Sequence, residues 1–317
     1  MDNLSGETLA VVATGFGGPE VLTLMKVPIA LPGPGEVRIA MRAAGTNPLD
    51  VKLYGGAMGS DPSALPMRLG REAAGVVVAV GGEASGPTGK IEVGDQVIAF
   101  PALGSYAAEV VVPSSSVLRK PEDLPFEQAS GLLLTGSTAV HAINVVALSK
   151  GDRFLIHGGS GGVGLMAVQL AVAAGARVFA TASESRHAYV QSLGAEPVAY
   201  GEGLVDRVRD LSPSGVDAAL DAVGSDETID ASVELVADPR RVASLVATKR
   251  AFDVGFRVLG AAPGADPGTE IRAAARGQLI EAAEAGRLQV LVSATYPLRE
   301  AATAHAALAS GHTNGKI

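Results

Sequence analysis

The stretch Arg153-Phe-Leu-Ile-His-Gly-Gly-Ser-Gly-Gly-Val-Gly164 restricts what this chain of 317 residues can fold into more than any other feature. An apolar run enters it, and Val163, Ala167, Leu170 and Ala174 leave it at helical spacing, so Gly159-x-Gly161-x-x-Gly164 joins a strand to a helix. In that setting the first glycine permits a tight turn, the second lets the backbone approach a pyrophosphate, and the third lets helix and strand pack closely. The N–H groups at the start of the helix supply an anion site. A glycine-rich turn without a ligand is the plainer alternative. With strand and helix both in place, Gly159, Ser160, Gly161, Gly162, Val163 and Gly164 are expected to bind a dinucleotide.

Selection between dinucleotides belongs about 20 residues further on, where an acidic residue would hydrogen-bond the ribose 2′-OH of NAD. Here the chain reads Ala180-Thr-Ala-Ser-Glu-Ser-Arg186. Thr181 and Ser183 occupy the acidic slot, and Arg186 lies one turn into the following helix, where its guanidinium can reach a 2′-phosphate. The expected cofactor is NADPH. A merely solvated Arg186, with Glu184 competing for the same space, is the alternative.

From Pro125 onward helical and strand patterns alternate: a helix over 126–148, then strands over 153–157, 177–181, 197–200, 216–221 and 241–246, with helices over 163–174 and 184–193 between them. Such alternation predicts a parallel sheet with helices on both faces. The first 120 or so residues differ, with short Val/Ile-rich runs such as 36–42, 74–80, 96–100 and 107–112 separated by Gly and Pro, which is the texture of a β domain. Past Gly260, a loop over 261–268 precedes a helix near 269–285, a strand near Val290 and a helix near 298–310.

Composition removes several functions. The chain has no cysteine, which excludes disulfides and thiolate metal sites. The five histidines, His141, His157, His187, His305 and His312, have no H-x-x-x-H or H-E-x-x-H spacing, so no metal is expected. Acidic residues outnumber Lys and Arg by 33 to 25 and no basic cluster stands out, so no nucleic-acid partner is expected. The N-terminal Met1–Glu7 carries acid where a signal peptide needs a basic start, and the most apolar stretch, 165–176, is too short to span a membrane. A cytoplasmic protein without a membrane partner is the expectation.

Ala44-Gly-Thr-Asn-Pro-Leu-Asp50, Gly70-Arg-Glu-Ala-Ala-Gly75, Val93-Gly-Asp-Gln-Val97, the glycine loop, 217–224 and a closing 307–316 stretch occur in one order along nearly the whole chain. In that order they resemble the medium-chain dehydrogenase/reductase superfamily, and within it the zinc-free quinone oxidoreductase (ζ-crystallin-like) branch. The resemblance implies an α/β protein of two parts. Residues 1–122 and 267–317 would form a GroES-like β-barrel catalytic domain, and residues 123–266 a Rossmann domain with a doubly wound parallel sheet. It further implies an active site in the cleft between the two domains and a homodimer that extends the nucleotide-binding sheet across a two-fold. In zinc-dependent relatives a Cys takes the place of Asn47, a His that of Arg71, and a second Cys falls near Gly131; the lobe of a second zinc is missing after Phe100.

Hydride transfer without a metal needs hydrogen-bond donors where negative charge develops on oxygen. Asn47 can bond the cofactor ribose or a substrate carbonyl, or can simply start a turn before Pro48. Arg71 can pair with an acidic substrate or hold an enolate, or be neutralised by Glu72 or Asp50. Tyr54 is a candidate proton donor, with water the alternative, because the tyrosine of relatives aligns nearer Met58. By resemblance, Thr135 contacts the nicotinamide amide or caps a helix, Tyr200 lies beside the adenine phosphate, and Val223, Leu245 and Val246 line the nicotinamide half of the crevice. His141, His157 and Lys316 rank lower, the last as part of the tail. The expected substrate is an electrophilic alkene or quinone. A stereospecific enoyl reductase of polyketide tailoring and a non-catalytic NADPH-binding sensor or structural protein are the alternatives.

Overall fold

The computed structural model describes residues 4–311 and 313–317; Met1 to Asn3 and His312, which figure in the sequence patterns above, lie outside the described residues. The chain divides into two compact units, one formed by Met1–Leu134 with Gly277–Ile317 and the other by Thr135–Arg276.

In the first unit, β1 (Leu4–Ala13) and β2 (Leu22–Ala30) form an antiparallel hairpin, with β4 (Met67–Arg68) on the other side of β1. A five-stranded antiparallel sheet takes β3 (Glu36–Ala44), β5 (Ala73–Val80), β8 (Gln96–Ala99), β9 (Glu109–Pro113) and β10 (Val117–Arg119) in the order β10-β8-β5-β3-β9. A short ribbon of β6 (Ser85–Gly86) and β7 (Gly89–Lys90) stands apart. Alternate residues of these strands, Val37 and Ile39, Val110 and Val112, turn into one core with Val77, Val97 and Val117, as period-two patterning requires. Helix α1 (Pro48–Tyr54) follows Asn47, with Pro48 in the first turn and the Asp50 carboxylate accepting the Asn47 N–H at 3.1 Å. It buries Asp50 and Tyr54.

Helices α2 (Phe126–Ala129) and α3 (Leu133–Val145) replace the single helix expected over 126–148. The break falls where a side chain on Gly131 would strike Lys316, its Cβ coming within 2.9 Å of Lys316 Cγ. Tertiary packing, invisible in the local pattern, separates them.

The second unit holds a six-stranded, wholly parallel sheet of β11 (Arg153–His157), β12 (Arg177–Thr181), β13 (Glu196–Val198), β14 (Ala218–Asp221), β15 (Val242–Ser244) and β16 (Arg257–Val258), in the order β13-β12-β11-β14-β15-β16. This is the doubly wound Rossmann order, reversing direction at β11, where ligands bind beyond the carboxyl ends of the strands. Phe154, Leu155 and Ile156 have no exposed surface, as a strand covered on both faces should. The connecting helices are α4 (Gly162–Ala173), α5 (Glu184–Ser192), α6 (Leu204–Leu211), α7 (Asp226–Leu235) and α8 (Lys249–Asp253), followed by α9 (Thr269–Glu284). The chain then re-enters the first unit and adds α10 (Ala301–Ala309). The strand expected near Val290 is reduced to one parallel bridge, Val292 with Lys316.

Candidate functional site

The glycines of the loop are required for different reasons. A Cβ on Gly164 would meet Gly158 O at 2.1 Å, and one on Gly159 would meet Ala180 Cβ at 2.6 Å, so these two are demanded by the packing of β11, α4 and β12. A Cβ on Gly161 would meet nothing nearer than Gly158 O at 3.4 Å. The fold itself does not need that glycine, and the half-buried Ser160, Gly161, Gly162 and Val163 form the accessible side of the loop. The first N–H in α4 to close onto a helical acceptor is that of Leu165, on Gly161 O at 2.9 Å, which leaves those of Gly162, Val163 and Gly164 directed out of the helix end.

Thr181 is turned towards the loop. It is buried, its Oγ1 accepts the Gly158 N–H at 3.0 Å and its carbonyl accepts the Gly159 N–H at 2.8 Å, so it anchors the loop from β12. Ser183 is the N-cap residue of α5, half-buried. Arg186, also half-buried, lies in the first turn of α5 and makes no side-chain hydrogen bond or ion pair with any described residue. A guanidinium with unused donors at this place suits a phosphate.

Asp221, which lies in the 217–224 stretch but is not among the candidate site residues read from the sequence, organises the other half. Its Oδ1 accepts the N–H groups of Val223 (3.0 Å) and Gly224 (2.9 Å), and its Oδ2 accepts Ser244 Oγ–H at 3.2 Å. The turn so held brings Val223 to 3.0 Å from where a Gly158 Cβ would lie, and Val246 against Gly224. Leu245, half-buried, donates its N–H to Asp221 O. Val223 and Tyr200 remain 48% and 56% exposed, apolar surface at the strand ends where a nucleotide is bound in this topology. Thr135 is buried near the start of α3. His157 sits behind the loop as a packing residue; its ring bonds Ser232 Oγ at 3.1 Å, and burial lowers its pKa to about 4.

In the first unit the structure assembles a buried charged cluster around Asn47. Lys316 Nζ donates at 2.7 Å to each of Thr46 O, Asn47 Oδ1 and Glu72 Oε1. Asn47 Nδ2 donates to Glu72 Oε1 at 3.1 Å and to Gly45 O at 3.3 Å, and Glu72 Oε2 accepts the Leu134 N–H at 3.1 Å. An ammonium only donates, so Asn47 must turn its oxygen to Lys316. Both amide hydrogens are then committed, and Asn47 cannot donate to a substrate carbonyl; the second lone pair of Oδ1 can still accept from a ribose hydroxyl.

Lys316 is thus no tail residue. It is 4% exposed and threads past Gly131 to reach Asn47.

Tyr54 is not brought to any surface. It has no exposed area, packs with Val11, Leu69 and Tyr106, and its hydroxyl meets His305 Nδ1 at 3.2 Å. Burial and the nearby Asp50 push its pKa up to about 12, and with no exposed area it packs as a structural phenol. Burial lowers His305 to about 4. Asp50 accepts the Tyr106 hydroxyl at 2.8 Å, and burial raises its pKa against the opposing pull of that hydrogen bond, Lys316 and Arg71.

The chain matches two family profiles: an alcohol dehydrogenase GroES-like domain over residues 33–122 and a zinc-binding dehydrogenase over residues 193–317. A quinone oxidoreductase of Pseudomonas aeruginosa is 32% identical over 320 residues, covering 95% of each chain. The chain belongs to the medium-chain dehydrogenase/reductase superfamily. Among solved superfamily structures, a mycobacterial protein in complex with NADPH superposes with a TM-score of 0.82 at 30% identity over 98% of each chain. The human synaptic vesicle membrane protein VAT-1 homolog is 37% identical over 224 residues, and this chain spans about half of its length (56%). No helix among the described residues is long and apolar enough to cross a membrane.

One profile carries zinc in its name, and the site residues do not fit that ion. Lys316 already holds the oxygens of Asn47 and Glu72, and Arg71 adds a guanidinium, which has no lone pair to give. The cluster is held together by an ammonium.

Proposed function

We propose that this superfamily member is an NADPH-dependent, zinc-independent reductase that delivers hydride to a quinone or an α,β-unsaturated carbonyl compound. The observation that carries the proposal is the open side of the glycine loop at Gly161 together with the unused guanidinium of Arg186. The outward N–H groups of Gly162, Val163 and Gly164 would hold the pyrophosphate and Arg186 the 2′-phosphate. Tyr200 would flank the adenine side, Val223, Leu245 and Val246 the nicotinamide side, Thr135 its amide, and Asn47 Oδ1 a ribose hydroxyl. When bound, the reduced nicotinamide supplies the hydride. The saturated product of an activated alkene needs one proton besides. With Tyr54 enclosed, water provides it, and hydroxide is left in solvent.

A cytoplasmic homodimer is part of the same reading; light scattering on the purified protein tests the dimer. The decisive experiment is a multiple-turnover assay with quinones, enones and enoyl thioesters in the presence of a chelator. Turnover with NADPH in preference to NADH is expected. Tight NADPH binding with no oxidation on any of these acceptors would overturn the catalytic reading in favour of a sensor or structural protein.

A further inference from the structure

Arg71, next to Glu72 of the Asn47 cluster in sequence, is a charged residue whose guanidinium the fold leaves without a hydrogen-bonded partner, although Asp50 lies within reach of its charge. Its side chain makes no hydrogen bond or ion pair with any described residue, and its Nε is buried without a partner. Of the two nearby carboxylates, neither bonds it: Glu72 is engaged elsewhere, and Asp50, whose charge interacts with that of Arg71, makes no hydrogen bond to it. Glu72 is held by Lys316, Asn47 and the Leu134 N–H. Asp50 takes the Tyr106 hydroxyl and the Asn47 N–H, and its remaining oxygen bonds nothing. Arg71 is half-buried, and Nε alone of its nitrogens is sealed from solvent, so the two terminal nitrogens are reachable from outside.

The base of the side chain is rigid. Arg71 O accepts the Ala102 N–H at 2.7 Å, and Gly70 O accepts that of Gly104 at 3.1 Å. Gly70, at φ +93°, lies so close to Ser105 and Tyr106 that a Cβ there would be 2.5 Å from Ser105 Oγ. The main chain that carries the guanidinium is thus fixed, the fork of donors is unused, and leaving a buried donor unpaired is costly.

We propose that Arg71 receives a carboxylate carried by the substrate, so that the acceptor is an α,β-unsaturated carboxylic acid. A guanidinium whose two terminal nitrogens are both reachable matches a planar monoanion, which it binds through two parallel N–H···O bonds. The reduction of that acid rests on the reductase reading; the carboxylate site does not.

The test separates the two. Crotonate and its uncharged isostere crotonamide are titrated calorimetrically into the protein saturated with NADP+, using wild type, Arg71→Met and Arg71→Lys, each first checked for an unchanged melting curve. Crotonate should bind wild type about tenfold to a hundredfold more tightly than crotonamide, as a charge-assisted bidentate contact implies. Arg71→Met should abolish the difference and Arg71→Lys keep part of it. Equal affinities in wild type, or a preference that survives Arg71→Met, would overturn the proposal. Turnover then follows independently. Reduction of enones with no preference for the acid sinks the carboxylate site and leaves the reductase standing, whereas Arg71-dependent crotonate binding without NADPH oxidation on any acceptor does the reverse.

Discussion

Replacing Lys316 with Met probes the cluster at its centre. The ammonium makes three bonds of 2.7 Å while only 4% exposed, and its partner Glu72 is 1% exposed. Methionine keeps much of the stem volume beside Gly131 and removes the charge, so the loss is electrostatic. Glu72 would then be a buried carboxylate held by two N–H donors and no cation. Breaking one side of such a pair costs about 3–5 kcal/mol, against a total stability of roughly 5–15 kcal/mol for a typical domain. Urea unfolding followed by circular dichroism reads the cost, and hydrogen exchange over 45–55 and 130–134 locates it in the first unit. The double variant Lys316→Met/Glu72→Gln removes both charges and retains an acceptor for Asn47, so it should be more stable than Lys316→Met alone, with a coupling of about 1–3 kcal/mol. A cost below about 1 kcal/mol for Lys316→Met, or a double variant whose cost equals the sum of the singles, would refute the claim that this is a buried, mutually dependent pair.

The loop glycines should respond differently to alanine. Gly161→Ala should fold with wild-type melting behaviour and lose NADPH affinity, whereas Gly164→Ala, whose Cβ would lie 2.1 Å from Gly158 O, should lose stability first; differential scanning fluorimetry with and without NADPH distinguishes them. Arg186→Asp should weaken NADPH by about tenfold or more, since charge-assisted bonds contribute roughly 1.5–3 kcal/mol, and leave NADH nearly unchanged; equal losses would remove the 2′-phosphate role. Acid should destabilise the fold through His157 and His305, whose pKa values fall from 6.5 to about 4 on burial. The unfolded chain binds more protons in that window, so the stability these neutral rings contribute is full above about pH 6.5 and is lost as pH falls towards 4, by up to about 3 kcal/mol for each. Urea midpoints across the window give the slope, which His157→Asn should reduce; an unchanged slope would contradict the assignment.

How far the site can be read from the sequence depends on how local its physics is. The glycine loop is legible because its demands are steric and lie within a dozen residues: a tight turn, a close strand-to-helix contact and an open helix end all show as spacing. The position of Arg186, one turn beyond a strand end, follows from the same local pattern, and the structure sets it in the first turn of α5. Side-chain direction does not follow. Thr181 matches the ribose slot by position, yet the pleat of β12 turns its hydroxyl back onto Gly158. Tyr54 and Lys316 depart from expectation in opposite senses: the candidate donor is sealed, and the residue expected in the tail lies at the centre of the cluster.

The residues alone determined the parallel sheet, the glycine loop at its switch point and the absence of thiolate ligands, because these follow from periodicity and residue chemistry. Only the tertiary structure decided what surrounds Asn47. Asn47 and Lys316 are 269 positions apart, and their meeting at 2.7 Å depends on the chain returning to its first unit after building the second. The same return pairs Lys316 with Glu72, so that Glu72 makes no ion pair with its neighbour Arg71, since a buried carboxylate is satisfied by the cation the fold brings to it, however near another lies in sequence.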